Sequence, residues 1–168
     1  MSEMADEPAL TTTLRLTPLT SDAFKPFGAV IEPPPLPGER SFYSQWLGSA
    51  RTGMEPRFHV NHVPATSLPY TVEVVERHPY AAQIFLPLDV TSYVIVVAPS
   101  ALNGYPDAGR AQGFVASGTV GIVYAPGTWH AGITVLARPG TFGVLMWRND
   151  TDDDEEFFPL ASPLFIQL

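Results

Sequence analysis

Eighteen prolines and 13 glycines fall between short apolar runs, a spacing that leaves no room for long helices. Proline removes a backbone donor and breaks helices, while glycine supplies turn conformations that other residues resist. Ser117-Gly118, Pro126-Gly127 and Pro139-Gly140 are turn signals of this kind. Between the breaks lie runs that read as strands: residues 57–63, 71–78, 83–86, 92–98, 114–116, 118–124, 130–136 and 142–147. A short strand at Val30-Ile31 and a helical turn at 21–24, capped by Ser21 or Thr20, precede them. About nine or ten strands at roughly ten-residue spacing predict an all-β sandwich or small barrel with one or two short helices. Residues 1–13 are expected to be frayed or a short extension, and the apolar segment 157–168 to pack back on the sheet or to cap a dimer.

Length and composition narrow the function. The 168 residues suit a single domain, 1–168, with a full core, and an apolar content of 45% argues against disorder. There is no cysteine, so disulfides, thiol catalysis and Cys-ligated metal sites are excluded. Residues 1–7 lack the basic start and apolar core of a signal peptide, and no apolar run approaches the roughly 20 residues of a membrane helix. A cytoplasmic protein without a membrane partner is the expectation. A net charge of −8 argues against nucleic acid as a partner and toward a small molecule.

The chemistry concentrates in two places. If 71–78 is a strand, Val72, Val74, Glu76 and His78 share a face, which puts a carboxylate and an imidazole at the end of an apolar row. A carboxylate facing a core needs a ligand, a metal or a buried network, whereas a register slip of one residue would turn Glu76 to the surface and Arg77 inward. Gln83 follows five residues after His78, and Tyr124, Trp129 and His130 lie far downstream. Glu76-x-His78-x4-Gln83 has the spacing of the first motif of cupin barrels, His-x-His-x4-Glu, and Gly121 followed by Pro126-Gly127-Thr128-Trp129-His130 resembles the second. Glu76, His78, Gln83 and His130 could hold a divalent ion such as Ni, Mn, Fe or Zn, or could hold an organic acid directly. Against these stands a simpler alternative, in which the two histidines are hydrogen-bonded core groups and Tyr124 and Trp129 are core aromatics.

Arg77 and Arg148 are candidate anchors for a substrate carboxylate, which guanidinium binds in a bidentate way, and equally candidates for surface salt bridges. His59 and His62, three apart in a strand, face opposite ways, although His62 could line a pocket. Asp150-x-Asp152-x-Asp154 starts like a calcium loop but has Glu155 and Ala161 where that loop needs Gly and Glu, so 150–156 reads as a solvated acidic loop. No phosphate-binding loop, dinucleotide fingerprint or Gly-x-Ser-x-Gly is present.

Taken together, Pro18 to Phe24, Phe27 to Glu32, Glu76-Arg77-His78-Pro79, Gln83 to Leu88 and Gly127 to Ala131 resemble the ureidoglycolate lyase family nearly end to end. The resemblance implies a cupin-like β-barrel or jelly roll, a homodimer, and cleavage of ureidoglycolate to glyoxylate and urea in allantoin breakdown. It implies proton transfer by His130 or Glu76 with Tyr124, a carboxylate held by Arg77 or Arg148, and orientation by Gln83, Tyr124 and Trp129. Glu76, His78, Gln83 and His130 would be the ligands if a metal (Ni, Mn or Zn) is bound. Val120, Val123, Ala125 and Ala131 stand where many bacterial relatives carry polar groups, and Gln112 stands where the family has an arginine, which is displaced here to Arg110. If those positions line the pocket, it is drier than the family's. Rival readings are a cupin acting on another small acid or sugar, and a binding protein that has lost the chemistry.

Overall fold

The computed structural model describes residues 11–168. In chain order its strands are β1 (Thr12–Pro18), β2 (Gly28–Ile31), β3 (Glu55–Val63), β4 (Tyr70–Arg77), β5 (Gln83–Pro87), β6 (Ser92–Ala98), β7 (Gln112–Ser117), β8 (Gly121–Tyr124), β9 (Trp129–His130), β10 (Thr134–Leu136), β11 (Gly140–Arg148) and β12 (Glu156–Gln167). One helical turn, α1 (Ser21–Phe24), is capped by the Thr20 hydroxyl, which accepts from the Ala23 N–H. Among the described residues no helix is long and apolar enough to cross a membrane.

The strands form two sheets. In the larger, neighbours run β6-β7-β1-β12-β4-β9, and β9 pairs back onto β6, so six strands close into a barrel. β10 continues along the same edge of β6 as β9. The smaller sheet has the order β2-β8-β5-β11-β3 and lies against one wall of the barrel. The fold is thus an all-β, cupin-like barrel with a second sheet. The expected strand at 130–136 is two pieces separated by 131–133, and the segment 157–168 joins the sheet rather than packing on it: β12 lies between β1 and β4 in the barrel wall. Strand β1 begins at Thr12, inside the stretch expected to be frayed, and residues 1–10 of that stretch lie outside the described residues.

Strand β6 shows why the closure works. Its sequence Ser-Tyr-Val-Ile-Val-Val-Ala is apolar at nearly every position, as a strand buried on both faces must be. Val94, Val96 and Ala98 point into the barrel, where they meet Val72, Val75, Trp129, Leu164 and Ile166. Tyr93, Ile95 and Val97 point outward and meet Phe85, Ile122, Tyr124, Phe142 and Val144 of the second sheet. Each such side chain contributes about 1.5–3 kcal/mol by leaving water. The barrel bore at β6 is therefore a filled apolar core, and a seam runs between the barrel wall and the second sheet.

One close approach fixes the second sheet beside that seam. Gly28 has a φ of 152°, and a Cβ there would lie 1.8 Å from the Val123 carbonyl oxygen. Only glycine lets β2 lie so close to β8, where Gly28 is paired with Tyr124.

The uniform alternation expected along 71–78 is broken. Val72 and Val75 are buried while Val74 is 46% exposed, because the β12–β4 register shifts between Pro159 and Leu164. The irregularity reverses the phase of the strand. Beyond it, Glu76 faces out of the barrel with Val74, and Arg77 takes the bore-side position with Val75.

Candidate functional site

The cluster forms at the seam where the barrel closes. Glu76 of β4 is paired with His130 of β9, and His130 is paired on its other side with Val97 of β6. Since opposite residues of antiparallel strands share a face, Glu76, His130 and Val97 all point away from the bore, toward the second sheet. That sheet supplies Gln83 and Tyr124, themselves a cross-strand pair between β5 and β8. The Tyr124 ring stacks on His130 at 4.0 Å between centroids and 15° between planes, and His78 lies 5.8 Å from His130 by the same measure. His78, Gln83, His130 and Tyr124 are all buried, so the Glu76 side chain, 23% exposed, is the cluster's contact with solvent. It opens into a cavity of about 220 Å³ lined by Val74, Val75, Glu76, Gly132 and Phe157.

Backbone carbonyls decide which nitrogens are free. His78 Nδ1 lies 2.6 Å from the Asp154 carbonyl oxygen, and His130 Nδ1 lies 2.9 Å from that of Thr128. A carbonyl can only accept, so both Nδ1 atoms carry the proton. In the neutral rings both Nε2 atoms are then bare acceptors, and among the described residues neither has a hydrogen-bond partner; the same holds for Gln83 Oε1 and the Tyr124 hydroxyl. His130 Nε2 sits 3.4 Å from Glu76 Oε1, close enough for the charges to interact but long for a formed bond. Donor atoms of Glu76, His78 and His130 lie within 4.8 Å of one another. Acceptors converging in a buried space with nothing donated to them call for a cation, a proton or a ligand's hydroxyl.

The electrostatics agree. Burial alone would raise the Glu76 carboxyl, but the His130 contact and the charges of His130, His78 and Arg148 together bring it below 4.5. Burial drives the His78 imidazole below 6.5, although the Asp154 carbonyl and the Glu76 charge work against that. Burial also raises the Tyr124 phenol well above 10, so Tyr124 remains an O–H donor. An anionic carboxylate, a neutral imidazole and a fixed phenol donor therefore share one pocket.

Two residues expected to touch substrate lie elsewhere. Arg77 packs over the Trp129 ring at 4.4 Å, pairs with Glu156 at 2.5 Å and donates to the Gly104 carbonyl. Trp129 donates its indole N–H to the same carbonyl. Both lie on the bore side of β4 and β9, opposite to Glu76 and His130, because adjacent strand residues alternate faces. Arg148, by contrast, ends the row Phe142, Val144, Met146 on β11 that faces the barrel wall, and its charge is felt at Glu76. It pairs with Glu155 at 3.2 Å.

The apolar positions divide as well. Val123 packs behind the sheet with Ala82 and Ile84, and Ala131 lies in the bore, so neither dries the pocket. Val120 packs at the edge of the core between barrel and sheet, and Ala125 lines a separate cavity of about 570 Å³ with Arg110 and Gln112. His59 and His62 are on the exposed β3, where His62 contacts Thr141.

The reading of 150–156 as a solvated acidic loop fails at Asp154. The other acids of the segment are exposed or half-buried, whereas this residue is 2% exposed, with Oδ1 accepting from the Tyr80 N–H at 2.6 Å. No local signal marks it, since its neighbours are equally acidic.

Fold and pocket together define a cupin-like β-barrel protein whose Glu–His–His cluster lies between barrel wall and second sheet. A family model described as ureidoglycolate lyase matches residues 11–167. The chain is 36% identical over 141 residues to a ureidoglycolate lyase of Burkholderia mallei, covering 79% of this chain and 81% of that one. It is 33% identical over 164 residues to one of Pseudomonas fluorescens, covering 87% and 92%, and 28% identical over 163 residues to one of Schizosaccharomyces pombe, covering 82% and 85%. Among solved structures it is similar to a dTDP-6-deoxy-D-glucose-3,5-epimerase of Legionella pneumophila, with a TM-score of 0.43 at 16% identity over 70% of this chain and 59% of that one, too loose a likeness to bear on chemistry. The chain belongs to the ureidoglycolate lyase family.

Proposed function

We propose that the chain is a carbon–nitrogen lyase that cleaves ureidoglycolate to glyoxylate and urea at the Glu76–His78–His130 cluster. The observation that carries this reading is the convergence of those three groups within 4.8 Å, in a chain matched by the family over residues 11–167. The reaction is the collapse of a carbinolamine. The hydroxyl O–H breaks, its electrons form the aldehyde C=O, the C–N bond breaks, and the urea nitrogen gains a proton. It needs one base and one acid and no redox partner.

Glu76, ionised and open to solvent, takes the hydroxyl proton. His130, facing Glu76 with Nδ1 already bound, relays it through Nε2 to the departing nitrogen. Tyr124 donates its hydroxyl hydrogen bond to substrate, and Gln83 beside it orients the urea amide. Arg148 at the rim holds the substrate carboxylate. That assignment leaves Arg77 and Trp129 a structural role.

The same donor set suits a divalent ion. Two unpartnered imidazole nitrogens and a carboxylate are ligands that Ni, Mn or Zn accept. Such an ion, when bound by Glu76, His78 and His130 with Gln83 in reach, would polarise the substrate hydroxyl and lower its pKa.

The test is release of urea and glyoxylate from fresh ureidoglycolate, with a no-enzyme control, on metal-stripped protein and again with added nickel or manganese. Turnover above the control that disappears in His130→Ala supports the reading. No turnover with any metal rejects it in favour of a binding protein.

A homodimer belongs to the same proposal. Among the described residues strand β3 ends its sheet with an unpaired edge, and Phe58 and Val60 on it are 66% and 55% exposed. Such an edge invites pairing with another chain. Light scattering giving the single-chain 18.3 kDa would reject it. A cytoplasmic setting completes the reading, and cell fractionation tests it.

A further inference from the structure

Three distant stretches of chain meet around His78, and one buried carboxylate joins them. Asp154 Oδ1 accepts the Tyr80 N–H at 2.6 Å, and the Asp154 backbone oxygen accepts His78 Nδ1–H at 2.6 Å. One residue thus grips the His78–Tyr80 segment twice, through side chain and main chain. The Tyr80 carbonyl in turn accepts from the Ala50 N–H at 2.8 Å and the Ser49 hydroxyl at 3.3 Å. Arg51 lies over the Tyr80 ring at 5.1 Å and pairs with Asp153 at 3.0 Å, closing the ring of contacts. On the other flank Arg148 ties Glu155 at 3.2 Å.

A carboxylate kept in this place is costly. Burial lifts Asp154 above the ordinary 3.8, and its neighbours in the 150–156 run stay in or near water. The acid is retained where its single well-formed side-chain bond sets the height of the carbonyl beneath it. That carbonyl is the His78 acceptor, so it selects the Nδ1–H tautomer and turns the bare Nε2 toward Glu76 and His130.

We propose that Asp154 is a positioning residue for His78: its carboxylate pins the 153–155 segment to Tyr80 so that its own carbonyl fixes the tautomer and aim of the imidazole. The assignment of His78 to the working pocket rests on the lyase reading above; the tautomer control does not.

The proposal is tested with Asp154→Ala, Asp154→Asn and Asp154→Glu, read by ¹⁵N-resolved NMR of the histidine rings and by steady-state kinetics. Wild type should show His78 as the Nδ1–H tautomer. Asp154→Asn keeps an oxygen acceptor for Tyr80 and should keep both tautomer and kcat. Asp154→Ala removes it and should give His78 a mixed-tautomer signal, with kcat down about 10-fold or more and KM little changed. Asp154→Glu, whose longer arm displaces the carbonyl while preserving the charge, should behave like Asp154→Ala and carries the test if that variant does not fold. A pure Nδ1–H signal in Asp154→Ala or Asp154→Glu would overturn the proposal. An altered tautomer on a chain with no lyase activity would uphold it while removing the lyase reading instead.

Discussion

Glu76 and His130 face each other across the pairing by which β4 joins β9, with Oε1 and Nε2 3.4 Å apart. The barrel closes at the same place where this carboxylate and imidazole meet. Closure of the hydrogen-bonded wall therefore fixes the two backbone positions from which these side chains reach each other.

Glu76→Gln keeps the size of this side chain and removes its basicity. It should lower kcat by about 100-fold or more, the usual worth of a positioned acid or base, and leave the melting temperature within about 3 °C. A variant that lost stability but kept turnover would make Glu76 a structural partner of His130. Thermal melts beside initial rates separate the outcomes.

Arg77→Ala and Arg148→Ala should part company. Arg77 lies over Trp129 on the bore side, so its loss should cost about 1–2 kcal/mol of stability, measured by urea unfolding, with kcat/KM nearly unchanged in the folded protein. Arg148→Ala should raise KM about 10-fold or more, the cost of losing a charge-assisted contact to a carboxylate. The reverse pattern would return Arg77 to the substrate.

His78 makes stability depend on pH. Its folded value lies below the ordinary 6.5, so on acidification the unfolded chain takes up the proton first. Stability is complete above about 6.5 and is lost as the pH falls through the folded value. Glu76 acts in the same direction but in a separate window below 4.5, while the raised Asp154 acts in the opposite sense, its share being lost as the pH rises. Melting temperatures at pH 7.5 and 5 should therefore differ more in wild type than in His78→Asn, whose amide can still donate to the Asp154 carbonyl. Equal slopes would remove His78 as the source.

Nickel or zinc added to metal-stripped protein should bind with one ion per chain by calorimetry. The affinity should fall as the pH drops, because protons compete for the two Nε2 atoms. His130→Ala should weaken it about 10-fold or more. Binding unchanged in that variant would place the ion elsewhere.

Much of this was legible in the chain itself. The proline and glycine punctuation, the unbroken apolar run of β6, and the spacing of Glu76, His78 and Gln83 specify short buried strands and a polar group set, because strand periodicity and turn chemistry are local properties. Which face each residue takes is not local. The shifted register between β12 and β4 reverses the phase of β4 and sends Arg77 to the bore, and no pattern within 71–78 announces it. Asp154 looks like any other acid of its run until the fold sets it against Tyr80, 74 positions away. The sequence determined the strands and the chemical inventory; only tertiary closure decided which side of the barrel wall that inventory occupies, since pairing partners distant in the chain set the register and register sets the face.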